Sequence, residues 1–118
     1  MNYPVNDVSF PDYDVISMYI DHSRRVAIFD MAGAWLAGHG RLEEGQFVIL
    51  NWLAWHPRRY NSAEKWAEIP LGQEESLKDI LELVVDADQI AVRGFGAVTG
   101  EWIEFVAKGG QGEYRIRE

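Results

Sequence analysis

Polar and apolar side chains alternate over residues 15–21, with Ile16, Met18 and Ile20 on one side and Val15, Ser17, Tyr19 and Asp21 on the other. A period of two marks a strand, whose successive side chains point to opposite faces. A polar link, His22-Ser23-Arg24, leads into a second alternating run, 25–31, where Val26 and Ile28 oppose Ala27, Phe29 and Met31. Two such runs around a short link predict a β-hairpin. Gly33 ends the second run. A third, 35–41, carries Gly38 and Gly40, which weaken a strand or mark a bulge. The turn Glu43-Glu44-Gly45 opens a fourth. Four runs with short links predict an antiparallel meander over 15–55, since neighbours in sequence tend to pair.

The fourth run, 47–56, is the most apolar stretch of the chain. As a strand it would carry Phe47, Ile49, Asn51, Leu53 and Trp55 on one face and Val48, Leu50, Trp52, Ala54 and His56 on the other. A strand with one face in water shows a polar residue at every second place, so both faces of this one should be covered. Its β-branched and aromatic content, with Pro57 just beyond, favours a strand over a buried helix. Asn51, buried there, would need hydrogen-bond partners.

The period then changes. Leu77, Ile80, Leu81 and Val84 fall at helical spacing, Leu83 widens the stripe, and Glu74 and Glu75 occupy the first turn, where the helix dipole favours acids. This predicts one main helix over about 74–87, laid across one face of the 47–56 strand. A second, short helix is predicted over about 62–68, capped by Asn61 or Ser62 and stopped by Pro70. Residues 1–13 read as an extended lead-in. Short strands follow at 89–93, 101–107 and 113–117, separated by a glycine-rich link and by Lys108-Gly109-Gly110-Gln111-Gly112. The predicted fold class is therefore α+β. It has a curled antiparallel sheet of six to seven strands, a four-stranded meander followed by two or three C-terminal strands, with one main helix and one short one.

With 118 residues and no composition break, the chain reads as a single domain, 1–118, large enough to bury a core. It has no cysteine, which excludes disulfides, thiolate catalysis and cysteine-ligated metal sites and fits a reducing cytoplasm. The net charge of −8 argues against a nucleic-acid surface, which needs Lys and Arg for phosphate. The same charge permits a basic partner, which an acidic surface attracts at long range, or simply keeps the chain in solution. The first residues show no basic start or apolar signal core, and no apolar run reaches the roughly 18 residues of a membrane span. A cytoplasmic protein with no membrane contact is expected.

Candidate chemistry is sparse. Gly94, Gly96 and Gly100 miss the dinucleotide spacing and lie between predicted strands, whereas that fingerprint opens a helix; the bland reading is a long hairpin loop. His22, His39 and His56 match no metal spacing, and no cofactor is implied. No serine or threonine lies in a nucleophile-elbow setting. Arg58-Arg59 is a basic spot beside His56 and Tyr60, where an anion could dock or surface acids could pair. Residues 64–88 are strongly acidic.

Three functional classes follow. The first is a non-enzymatic protein-binding module that sets an acidic and aromatic surface against a basic partner. By size and charge alone it is analogous to the immunity proteins that neutralise toxins. Its contact residues would be Glu75, Asp79, Glu82, Asp86, Trp55 and Phe95. The second is a small-molecule-binding protein or enzyme with a pocket at Trp35, Trp52, Trp55, His56 and Arg58. The third is a homodimeric structural or accessory subunit that uses the two-sided apolar strand as its interface.

Overall fold

A computed structural model describes residues 1–61, 63 and 65–116. Its strands in chain order are β1 (Asn2–Pro4), β2 (Val8–Ser9), β3 (Val15–Asp21), β4 (Val26–Met31), β5 (Ala34–Leu36), β6 (Gly40–Leu42), β7 (Gly45–Leu50), β8 (Ala54–Tyr60), β9 (Trp66–Glu68), β10 (Glu82–Val85), β11 (Gln89–Phe95), β12 (Trp102–Lys108) and β13 (Gln111–Ile116). One 3-10 turn, Val5–Asp7, is the only helical element among the described residues. Every strand pair is antiparallel. The first sheet runs β1-β13-β7-β4-β3, the second β10-β11-β12-β8-β9, and a small third one β2-β5-β6.

The two five-stranded sheets pack face to face as a sandwich. Phe29, Phe47, Ile49 and Tyr114 of the first meet Trp55, Ile90, Val92, Ile103 and Phe105 of the second in one buried cluster. The Phe29 and Phe105 rings, one from each sheet, lie 6.5 Å apart. The third sheet adds Val8, Ala34 and Leu42 to that cluster. Phe10, just after β2, contacts the Phe47 and Tyr114 rings at 5.3 and 5.8 Å. The Tyr114 phenol is fully buried and donates to the Glu43 carbonyl at 2.7 Å. Burial, with lesser contributions from the charge of Glu44 and from Tyr13, raises its pKa from 10.0 to about 12.

The α+β expectation is overturned: the fold is all β. Over 74–81 the backbone threads between the sheets and bonds to both. Val15 N donates to the Lys78 carbonyl, Lys78 N to Phe95, Leu81 N to Arg93, and Ala97 N to Ser76. Leu77 and Ile80 are buried, as a helix stripe would have them, but Leu81 and Val84 are 51% and 39% exposed. Residues 82–85 alternate exposed and half-buried, with the period of a strand. Non-local partners on both sides supply the hydrogen bonds a helix would have made locally. The close approach depends on Gly94 and Gly96, where a Cβ would collide with the Asp79 carbonyl and the Glu75 carboxylate. Two glycines of the link thus make room for the crossing segment.

The second predicted helix is corrected too. Ser62 and Glu64 lie outside the described residues, and Trp66–Glu68 is strand β9, paired with Arg58, Arg59 and Tyr60. The hairpin β3–β4 forms as expected, with a bulge between Val15 and Ser17. The four-stranded meander does not. β4 pairs with β7, and the β5–β6 hairpin leaves for the third sheet.

The 47–56 run is two strands in two sheets. Asn51 adopts φ 58°, a left-handed corner that Asn tolerates, and the chain crosses from the first sheet to the second. Asn51 is exposed rather than a buried polar group. The corner turns Trp52 and Trp55 into the core, at 3% and 6% exposure. Val48, on the outer face of the first sheet, is 1% exposed between its cross-strand neighbours Ile28 and Glu113. The two-sided apolar character therefore has an explanation within one chain.

Candidate functional site

The outer face of the second sheet carries side chains in rows across the strands. In β12, Ile103, Phe105 and Ala107 point inward, leaving Trp102, Glu104 and Val106 on the other side, the division that alternation predicts. Register aligns Phe95, Trp102, Tyr60 and Trp66 across β11, β12, β8 and β9. Strands stand about 4.8 Å apart, so the four aromatics form a row roughly 14 Å long. Phe95 packs edge-on to Trp102 at 5.2 Å, and Tyr60 to Trp66 at 5.3 Å. Phe95, Tyr60 and Trp66 are 38%, 37% and 40% exposed.

Beside this row runs a ladder of charges, Glu82, Arg93, Glu104, Arg58 and Glu68, one from each strand of the sheet. Glu82 accepts from Arg93 Nη1 at 2.9 Å. Glu104 accepts from Arg93 Nε at 2.6 Å and from Arg58 Nε at 2.5 Å. The Arg58 guanidinium lies 4.0 Å from the centre of the Trp66 ring, a cation–π contact that joins the ladder to the aromatic row. Glu104 is only 2% exposed. Burial alone would push its carboxyl up, but the hydrogen bonds of Arg58 and Arg93 hold it below its ordinary value. Those bonds raise the pKa of Arg93 in turn. The terminal nitrogens of Arg58 have no hydrogen-bond partner among the described residues, and its side chain is 42% exposed.

Of the residues proposed for a partner surface, Phe95 belongs to this face and Glu82 ends the ladder. Glu75 and Asp79 are occupied inside the chain. Glu75 accepts from the backbone N–H groups of Val98 and Thr99 at 2.8 Å and from the Thr99 hydroxyl at 2.6 Å. Burial opposes ionisation there, but these donors lower its pKa. Asp79 accepts from Phe95 N at 3.0 Å. Asp86 is exposed in the β10–β11 turn. Without the helix, the four acids share no single face.

The predicted pocket residues divide. The tilted rings of Trp52 and Trp55 lie 4.6 Å apart, Trp55 stacks on Phe105 at 5.3 Å, and both tryptophans are largely buried in the core. Trp35 is 48% exposed in the third sheet, between Ser9 and Arg41. Trp55, His56 and Arg58 do border one open groove of 310 Å³, closed by Pro57, Glu68 and Pro70.

Sequence reasoning missed Tyr60, Trp66, Trp102, Arg93 and Glu104, whose only early signal was a carboxylate and a tryptophan on the same side of the 101–107 alternation. It also missed a buried carboxylate at the sandwich end. Glu74, 3% exposed at its side chain, bonds His22 Nε2 at 2.6 Å and accepts from Trp55 Nε1 at 3.2 Å. Among the described residues, no group of three or more His, Asp and Glu is arranged to hold a metal ion, and no helix is long and apolar enough to cross a membrane. Comparison with known proteins yields no match to a family model, a curated protein or a solved structure.

Proposed function

We propose that the protein is a non-enzymatic protein-binding module whose contact face is the outer face of the second sheet. The observation that carries this reading is the aromatic row beside Arg58. Trp, Tyr and Arg are the residue types that dominate interface energetics, and here they sit together, part-exposed, on rigid strands. The groove bordered by Trp55, His56 and Arg58 adjoins the ladder and suits one anchoring side chain of the partner. The net charge of −8 steers a basic partner toward the molecule, as for an immunity-type inhibitor, while the nearly balanced ladder gives orientation. We place this action in the cytoplasm, in keeping with a chain free of cysteine.

The test is affinity capture from source-cell lysate with the wild-type chain and with Trp66→Ala and Trp102→Ala. The captured protein is then purified and the complex reconstituted. A one-to-one complex weakened about 30-fold or more by either substitution supports the reading. Undiminished binding by both folded variants would overturn it.

A further inference from the structure

The edge of the same sheet offers a second, separate kind of contact. β10 is a terminal strand, paired among the described residues only with β11. Asp86 N donates to the Gln89 carbonyl at 2.9 Å, which sets the phase of the ladder. In antiparallel pairing alternate residues exchange hydrogen bonds, so Asp86, Val84 and Glu82 bond toward β11. The N–H and C=O groups of Leu83 and Val85 therefore point away from the sheet. Among the described residues, no backbone bond joins either to the facing segment. That segment, residues 9–12, cannot complete the sheet: Pro11 lacks an N–H, Tyr13 N turns back to the Phe10 carbonyl, and Asp12 adopts φ 62°.

Between this segment and β10 lies an open groove of 490 Å³. Its lining is largely apolar, from Phe10, Pro11, Ile80, Leu81, Leu83 and Val84. Its charged lining residues are both acids, Asp12 and Glu82, and Asp86 follows at the strand end. Asp12 and Asp86 form no ion pair among the described residues. We propose that the free edge of β10 takes a further strand, an extended basic segment of a partner protein laid in the groove between β10 and residues 9–12. Leu83 and Val85 supply main-chain hydrogen bonds, the apolar floor takes every second side chain, and Asp12, Glu82 and Asp86 attract the basic ones between. A second copy of this chain fits worse. Antiparallel pairing of two β10 strands would bring two Glu82 and two Asp86 together on molecules already carrying −8 each.

The probe is a fluorescent peptide, Lys-Val-Arg-Ile-Lys-Val-Arg, titrated into the full chain. Two controls accompany it, one N-methylated at alternate amides and one with Glu for each basic residue. Expected is a Kd on the order of 10–100 μM, weakened about tenfold by N-methylation and by the acidic replacement, and a few-fold by Asp86→Lys. The Leu83 and Val85 amides should exchange more slowly in the complex. Trp66→Ala should leave peptide binding unchanged, which separates failure here from failure of the sheet-face reading. Absence of binding at about 1 mM peptide, or equal binding of the N-methylated or acidic control, overturns the proposal. Protection of Leu83 and Val85 by self-association without peptide overturns it as well.

Discussion

The outer faces of the two large sheets share one architecture and differ in chemistry. On the first, Arg115, Gln46, Asp30 and Ser17 align across β13, β7, β4 and β3. Asp30 accepts there from Gln46 at 3.0 Å and from the Ser17 hydroxyl. The next row, Glu113, Val48, Ile28 and Tyr19, is apolar at its centre, where Val48 is buried, and ends in the exposed Tyr19. On the second, an aromatic row stands beside two arginines that one buried carboxylate holds. A sandwich needs only a polar outer face. An aromatic row braced by an Arg–Glu–Arg bridge exceeds that need, and this excess directs the functional reading to the second sheet.

The comparison can be broken most forcefully at Glu104. Replacing it with Ala leaves Arg58 and Arg93 without their shared acceptor and should cost about 2–4 kcal/mol in urea unfolding. Asp30→Ala on the first sheet removes the uncharged donors' bonds from Gln46 and Ser17 and should cost about 1 kcal/mol or less. Equal losses at the two sites would erase the distinction. Next in size is the split between binding and stability at the aromatic row. Trp66→Ala should weaken a reconstituted complex by about 2 kcal/mol while changing stability by about 1 kcal/mol. A matching pair, Tyr19→Ala on the first sheet, should leave binding unchanged.

Two pH experiments sharpen the same contrast with smaller effects. The Glu104 carboxyl is held below its ordinary 4.5 in the folded chain, so its stabilisation is present above that value and lost as pH falls through the lowered one. Glu104→Gln should flatten the acid limb of the stability profile; Asp30→Asn serves as the first-sheet control. Tyr114 works in the opposite sense from inside the first sheet. Its pKa is raised to about 12, so the buried phenol stabilises the fold fully below pH 10 and progressively less up to about 12. Tyr114→Phe should remove that alkaline loss at a cost of about 1 kcal/mol for the bond to Glu43. Thermal melts across both pH ranges read each effect.

Parts of this were legible in the residues. The 15–21 and 25–31 alternation became the β3–β4 hairpin, and the 101–107 alternation placed Trp102 and Glu104 on one side. Phe95, Arg58 and His56 were named before their setting was known. Other parts were not. Leu77 and Ile80 suit a helix stripe and a core-crossing loop equally well, because three- and four-residue spacing is all the pattern records. The run 47–56 reads as one strand because a lone Asn51 serves equally as a buried polar residue in a strand and as a left-handed corner.

By itself, the sequence determined the properties that follow from local periodicity and composition: the hairpin, the inward set of β12, the absence of thiol chemistry and the acidic charge. Only the tertiary structure decided which strands are neighbours and in what register. That choice turned 74–87 from a helix into a crossing segment followed by the short strand β10, because backbone partners on both sheets outweighed local propensity. It also brought Tyr60, Trp66, Trp102, Phe95, Arg58, Arg93 and Glu104 together. Residues on four different strands share a face through non-local hydrogen bonding, and no spacing along the chain encodes that.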